Sequence, residues 1–278
     1  MAKHNNVFLY GQVLSQPRII KDDNGNYLRG ICAVNVIRGL RDFGDNITNL
    51  KYDVPIIMTG EPEKIAIMDT WHVNDMVEVK GSITTKEINK GTICKSCGQK
   101  NVTEGNAVFV NPIYLSARET GITKEEGLEL LRKRVEISNC ATLIGTLCRN
   151  VETFKTANGL QITQYQLAVN RKYRVKDDSA ENRTDYPWVK SYGPIAEEDA
   201  KFLQMGAMVY VDGMIQTRDV DRTTVCPHCG NEYHWHDSAL EVVPYAVEYL
   251  QGYILPEEYE KKEEEKNQEI IDKIFNNN

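Results

Sequence analysis

The sequence predicts an all-β protein made of two tandem five-stranded barrels, each with a short helix, joined by a helical linker. Three observations predict it. The motif Cys94-Lys95-Ser96-Cys97-Gly98 recurs 132 residues later as Cys226-Pro227-His228-Cys229-Gly230, and its flanks recur with it: Met76 to Thr85 matches Met208 to Thr217, and Pro112 matches Pro244. A module repeated at fixed spacing sets the domain count at two. Apolar residues alternate at period two, the signature of half-buried strands. Helical spacing appears within the second module, between the modules and, in part, after Pro256.

The elements follow in order. Val7, Leu9 and Val13 alternate with Phe8, Tyr10 and Gln12, and Tyr165, Leu167 and Val169 alternate with Gln164, Gln166 and Ala168. Asn24-Gly25 and Asn158-Gly159 are turn signals joining the first two strands of each module. In the second module a helix is expected from Pro194 to Gly206, with Ala196, Ala200 and Leu203 turned inward. The order β-β-β-α-β-β, with the helix between the third and fourth strands, is that of an OB-fold, a small barrel that often binds single strands or oligosaccharides. Thr123-Lys124-Glu125-Glu126 reads as a capping box, and Leu128, Leu131, Arg132 and Val135 continue at helical spacing. Upstream the repeat drifts, pairing Gly11 with Gly145, Asn24-Gly25 with Asn158-Gly159, and Ala33-Val34-Asn35 with Ala168-Val169-Asn170. The expected division is a first barrel over 1–118, a linker over 119–138, a second barrel over 139–255 and an acidic, mobile, partly helical tail over 256–278.

The chain has 278 residues, 41% hydrophobic and 26% charged, an ordinary globular balance. Its longest apolar runs, such as Val54 to Met58, fall far short of the roughly 20 residues a spanning helix needs. The N-terminus enters a strand pattern at once, which leaves no room for a signal peptide and predicts a cytoplasmic protein. Of the net charge of −7, −4 lies between Glu257 and Asn278, where eight acidic residues meet four lysines. The remaining −3 conceals a local basic stretch interleaved with an aromatic ring: Arg171-Lys172-Tyr173-Arg174-Val175-Lys176, with Arg183 beyond. Local fields of this kind bear on nucleic-acid binding more than the total does.

Seven cysteines, four of them in two Cys-x-x-Cys pairs, point to a metal in a reducing compartment rather than to a disulfide framework. Each pair is half of a tetrahedral thiolate site, so Cys94, Cys97, Cys226 and Cys229 are expected to share one structural zinc. Pairing across two chains, a redox pair, or a Cys226, Cys229 and His234 site remain as alternatives. Cys32, Cys140 and Cys148 sit in strand patterns and read as structural thiols.

Gln166-Leu167-Ala168-Val169-Asn170-Arg171, Thr184-Asp185-Tyr186-Pro187-Trp188-Val189, and Leu203 to Arg218 resemble, in order and spacing, successive motifs of the bacterial and phage single-stranded DNA-binding proteins. The resemblance covers most of residues 139–250 and, through the repeat, extends weakly to 5–118. It implies OB-folds that coat single-stranded DNA without sequence specificity in replication, recombination and repair. It places base-stacking rings at Tyr173, Tyr186 and Tyr192, adds Trp188 in the same strand, and puts cationic contacts at Arg38, Arg171, Lys172, Arg174 and Arg218. The family's fourth aromatic falls near Val220, where a cysteine hairpin stands instead. In the first module Arg38 faces Tyr173, Asp53 faces Tyr186, Pro55 faces Trp188 and Thr59 faces Tyr192, which predicts a weaker binder or a scaffold.

No His-Glu-x-x-His or similar catalytic pattern accompanies the cysteines, so an enzyme is not expected. The alternative function is a recruitment scaffold that holds replication or recombination proteins through its surface and tail, where Asp272-Lys273-Ile274-Phe275 resembles the family's docking motif but lacks its proline. Two barrels per chain, against the family's usual four per assembly, imply a homodimer.

Overall fold

The computed structural model describes residues 4–39, 50–173, 175 and 183–276. Its first module runs β1 (His4–Val13), β2 (Arg18–Lys21), β3 (Tyr27–Ile37), β4 (Tyr52–Asp53), β5 (Ile56–Thr59), α1 (Pro62–Asp69), β6 (Met76–Ile93) and β7 (Lys100–Glu119). After α2 (Lys124–Lys133) the second module repeats the order as β8 (Asn139–Leu147), β9 (Glu152–Lys155), β10 (Gln161–Asn170), β11 (Thr184–Asp185), β12 (Trp188–Tyr192), α3 (Pro194–Phe202), β13 (Met208–Val225) and β14 (Glu232–Gln251), and α4 (Pro256–Asn276) ends it.

Pairing closes each module on itself. β1 pairs with β3, β3 with β5, β5 with β7 in parallel, β7 with β6, and β6 returns to β1. The second barrel closes through β8, β10, β12, β14 and β13 in the same way. Closure removes the sheet edges that would otherwise stand unpaired. Sharp curvature comes from bulges at Lys80/Gly81 and Asp212/Gly213. A Cβ at Gly81 would lie 2.5 Å from the Asn111 carbonyl oxygen, and one at Gly213 2.3 Å from that of Val243, so only glycine lets the strands approach there.

Inward residues Val7, Leu9, Val34, Val36, Val77 and Val79 fill the first barrel, and Leu143, Tyr165, Leu167, Val189, Val209 and Val211 fill the second. Tyr10 breaks the alternation, since its position on β1 faces outward yet the ring is fully buried. The linker covers it. α2 opens on the expected Thr123/Glu126 capping box and packs Leu131 against Tyr10, Ile37 and Met76, while the Arg134 guanidinium lies 4.5 Å from the Tyr10 ring centroid.

The modules meet through β1 and β8, which pair antiparallel with Asn5 opposite Leu143, Val7 opposite Ala141 and Leu9 opposite Asn139. Asn5 and Asn139 are repeat equivalents, as are Leu9 and Leu143. The pairing therefore has a pseudo-twofold axis between Val7 and Ala141. Both asparagines make the same pair of bonds: Asn5 bonds the Ile83 carbonyl and amide at 2.8 Å each, and Asn139 bonds those of Ile215 at 2.7 and 2.9 Å.

α3 ends at Phe202, short of the expected Gly206; Ala196 within it and Leu203 just past it turn inward as expected, but Asp199, not Ala200, is the other buried helix position. Its Oδ1 accepts the Tyr249 hydroxyl at 2.9 Å. Burial pushes the Asp199 carboxyl up to about 6, against the hydrogen bond from Tyr249 and the nearby Ser191 and Tyr165 hydroxyls, which pull it down. A carboxyl whose value is raised on folding adds stability below its unfolded value, near 3.8, and loses it as pH rises through about 6. Asp199→Asn is therefore expected to remove a stability gain on acidification of about 2 kcal/mol between pH 6 and 4. Denaturant titrations at both pH values check it, and parallel pH dependence in the two proteins refutes it.

Candidate nucleic-acid face and thiolate cluster

Because β10 points Tyr165, Leu167 and Val169 into the barrel, Gln164, Gln166, Ala168 and Asn170 lie on its outer face. β12 adds Trp188, Lys190 and Tyr192 to that face, opposite Gln166, Gln164 and Ile162. Tyr186 is 46% exposed just before β12, and Tyr173 is 50% exposed beyond the end of β10 beside exposed Lys172. Tyr186, Trp188 and Tyr192 thus lie along one side of the second barrel, with Tyr173 exposed beyond the end of β10. Phe154 on β9, with Arg149 and Lys190, joins them there and was not anticipated from sequence. The available signal was a lone aromatic in the short strand leading into the Asn158-Gly159 turn.

The arginines are placed differently from expectation. Arg171 is 2% exposed, and its Nε lies 2.5 Å from Asp185 Oδ2 in a buried ion pair, so it is not a phosphate contact. Period two could not reveal this, because its partner Asp185 on the short β11 strand stands 14 residues further along the chain. Arg38 spans Asp53 with Nε and Nη2 at 2.9 and 2.8 Å, leaving about a quarter of its side chain, 23%, exposed. Arg218 binds Glu241 Oε1 through Nε and Nη2 at 3.0 and 2.8 Å but keeps 42% of its side chain exposed. Arg174 and Arg41 lie outside the described residues.

The two aspartates tie the modules together. Asp185 Oδ1 accepts the Thr85 amide of the first module at 2.9 Å, and Thr85 Oγ1 accepts the Tyr186 amide at 2.9 Å. In reciprocal fashion Asp53 Oδ1 accepts the Thr217 amide at 2.7 Å, and Thr217 Oγ1 accepts the Val54 amide at 2.9 Å. This clamp corrects the alignment of the repeats. Val36 pairs with Asp53 as Val169 pairs with Asp185, and Ala33 pairs with Ile56 as Gln166 pairs with Trp188. Arg38 is therefore the counterpart of Arg171, Asp53 of Asp185, Val54 of Tyr186, Ile56 of Trp188 and Gly60 of Tyr192. The slip is two residues along β3 and β10, which preserves the in-out alternation and escapes notice, and one residue from Asp53 to Thr59, which exchanges the faces. The corrected counterparts carry no aromatic ring.

Beyond the barrels, β6–β7 and β13–β14 continue as long hairpins whose tips converge. Each tip turns at a glycine of positive φ, 71° at Gly98 and 74° at Gly230, and closes with the Gly98 amide on the Cys94 carbonyl and the Gly230 amide on the Cys226 carbonyl. Cys94, Cys97, Cys226 and Cys229 come together with all four Sγ atoms within 4.8 Å of one another. Cys94 Sγ lies 3.8 Å from Cys229 Sγ and Cys97 Sγ 3.7 Å from Cys226 Sγ. A tetrahedral metal with bonds of about 2.3 Å to sulfur has edges of about 3.8 Å, so the cluster fits one such ion. Although burial opposes it, hydrogen bonds from the Cys229 and His228 amides and from Asn101 bring Cys226 down to about 6. Below the tip, Tyr233 OH meets Thr92 Oγ1 at 2.6 Å and accepts Asn101 Nδ2 at 3.1 Å, and Lys90 Nζ reaches Asp237 at 2.5 Å. His234 Nδ1 bonds Thr223 Oγ1 at 3.0 Å on the exposed side of the hairpin, apart from the four thiols. Cys32 is buried, as expected, and Cys140 and Cys148 are partly so.

Two closed five-stranded barrels, each plugged by a helix between its third and fourth strands, make this a tandem OB-fold protein. The sequence profile of the single-strand binding protein family matches residues 138–225. The single-stranded DNA-binding protein of Caldanaerobacter subterraneus subsp. tengcongensis is 34% identical over 113 residues, 41% of this chain and 68% of that protein. Single-stranded DNA-binding protein A of Bacillus subtilis is 34% identical over 83 residues, 30% of this chain and 47% of that protein. The chain belongs to the single-strand binding protein family. It spans about half the length of several curated relatives it matches, 51% of that from Chlorobaculum tepidum and 48% of that from Halalkalibacterium halodurans. The crystal structure of the single-stranded DNA binding protein from Thermus aquaticus aligns over 90% of this chain and 95% of that one, with a TM-score of 0.57 and 16% identity, and shares its fold. Among the described residues no helix is long and apolar enough to cross a membrane.

Removing one partner of a buried ion pair costs about 3–5 kcal/mol because the other charge is left uncompensated. Asp185→Ala strands the buried Arg171, so it is expected to lower unfolding stability by about that amount. Asp53→Ala is expected to cost less, since Arg38 reaches water. Urea titration of the two variants checks the order, and equal losses contradict it.

Proposed function

We propose that the chain binds single-stranded DNA and coats it without reading sequence, serving replication, recombination and repair as a non-catalytic cytoplasmic protein. The observation that carries the reading is the row of rings on the outer face of the second barrel, two of them about half exposed, in the stretch the family profile matches. Flat faces stack on any base, which suits a protein that must cover all sequences. Tyr173, Tyr186, Trp188 and Tyr192 stack on bases, while Lys172, Arg174 and Arg218 meet phosphates. Arg171 acts one step back, holding Asp185 and through it the backbone of Tyr186. The first barrel, over 1–118, adds Arg38 at its rim and supplies Thr85 to the clamp. The names of the relatives, single-stranded DNA-binding proteins from several bacteria, support the same reading. Two barrels per chain suit a homodimer.

A second reading rests on α4, the C-terminal segment over 256–278. Its first turn packs Tyr259 edge-on against Phe202, 5.9 Å between centroids, while Ile270 and Ile271 stand about half exposed on an otherwise acidic helix. Such a helix suits docking of replication or recombination proteins alongside DNA binding.

We assign zinc to the four thiolates. Zinc favours four sulfur ligands in a tetrahedron, and a closed site of this kind stabilises structure and leaves no position for catalytic water. One zinc per chain is expected by elemental analysis, with chelation lowering the thermal midpoint while both barrels persist. Metal-free protein carrying disulfides, or two zincs per chain, contradicts the assignment.

The DNA reading predicts tighter binding to a single strand than to duplex of equal length, with affinity falling as salt rises because cationic contacts release counterions. Tyr173→Ala is expected to weaken binding roughly 5- to 150-fold, from about 1–3 kcal/mol per stacked base. A salt series on both strand forms checks the preference, and equal affinity for duplex refutes it.

A further inference from the structure

The outer face of the second barrel continues past Trp188 onto β9. Phe154 is 42% exposed and pairs across the sheet with Ile162, which pairs in turn with Tyr192, so three side chains form one row over β9, β10 and β12. Ile162 is only 6% exposed and seats both rings. The next rows hold Glu152, Gln164 and Lys190, then Gln166 and Trp188.

The exposed Phe154 ring and the partly buried Trp188 ring each lie near a cation. Lys190 Nζ is 5.4 Å from the Phe154 ring centroid and 4.0 Å from Glu241 Oε2, and the Arg149 guanidinium is 5.2 Å from the Trp188 centroid. Lys190, whose side chain is only 12% exposed and lies by Glu241, stays beside the Phe154 ring as a fixed cation, while the exposed part of the ring is open to a stacking base and the cation is placed to meet a phosphate that arrives with it. The first barrel makes the contrast. By register its counterparts are Ile20 for Phe154, Met58 for Lys190, Ile56 for Trp188 and Ser15 for Arg149, with neither ring nor cation at any of them.

We propose that Phe154, with Lys190, forms a base-stacking subsite on β9 that lengthens the single-stranded nucleic-acid path past Trp188, with Arg149 as the cation of the adjoining position. The inference rests on the DNA reading above. β10 rises about 3.3 Å per residue, so the path from Ile162 to Asn170, where Tyr173 takes over, is about 26 Å long.

The test is binding of an oligothymidylate, long enough to saturate the full-length protein, to wild type, Phe154→Leu, Phe154→Trp, Ile20→Ala and Tyr173→Ala. Leucine keeps an apolar cover on Ile162 but removes the flat face, and should weaken binding within the roughly 5- to 150-fold range of a lost stack. Phe154→Trp should hold wild-type affinity and add indole fluorescence that is quenched on binding beyond the wild-type change. Ile20→Ala should bind as wild type does. Wild-type affinity in Phe154→Leu, or no added quenching in Phe154→Trp, overturns the subsite. If wild type binds and Tyr173→Ala weakens it while Phe154→Leu does not, this inference alone fails; if wild type binds no single strand, the DNA reading fails with it.

Discussion

Two buried carboxylates hold this molecule in one shape. Asp53 and Asp185 each bind an arginine of their own barrel and the backbone amide of a threonine in the other, so neither barrel completes its hydrogen bonding alone. A buried carboxylate with such partners fixes orientation more tightly than apolar packing does, because hydrogen bonds are directional and a buried unpaired charge is costly. The β1–β8 pairing supplies area, and the clamps supply angle. Since the amide of Tyr186 is bonded to Thr85, the position of a ring on the outer face of the second barrel depends on a strand of the first barrel. The first barrel is thus part of the second barrel's face even where it carries no rings.

The same geometry brings the cysteines together. Each hairpin leaves its barrel on a strand of 18 residues and returns on one of 20, so a small rotation between barrels becomes a large displacement at the tips. Thiols from two such arms meet at tetrahedral spacing only when the bases are held firmly. Lys90 with Asp237 and Thr92 with Tyr233 brace the arms below the cluster, which lowers the entropy lost when four thiolates gather round an ion. Thiol cluster and clamp lie at opposite ends of one coordinate.

Much of this was legible in the sequence. The duplicated cysteine motif announced two modules and the convergence of their tips, and the alternation in Val7 to Val13 and Gln164 to Val169 announced the strands. What escaped was tertiary. Arg171 reads as a basic surface residue, because nothing local records that an aspartate brought from residue 185 encloses it. Tyr10 reads as exposed until α2 folds over it. The repeat alignment slipped by two residues in β3 and β10 because a period-two pattern matches itself after two steps, and by one residue from Asp53 to Thr59, where the short strands β4 and β5 hold too few residues to show a period. Phe154 was passed over for a related reason: one ring in a four-residue strand has no periodicity to mark it, and only the cross-strand register aligns it with Tyr192.

Near the pseudo-axis of the arms, Asn101 donates to the hydroxyl of Tyr233 at 3.1 Å, and these two residues occupy the same place in the two repeats. In an assembly of identical subunits, whatever stands at that place must meet its own copy across the axis. A fused chain is released from that rule. Large can meet small, donor can meet acceptor, and one half can give up its rings while the other keeps them. Joining the halves covalently therefore converts a symmetric contact into a complementary one, and allows a division of labour that a dimer of single barrels cannot evolve by point substitution.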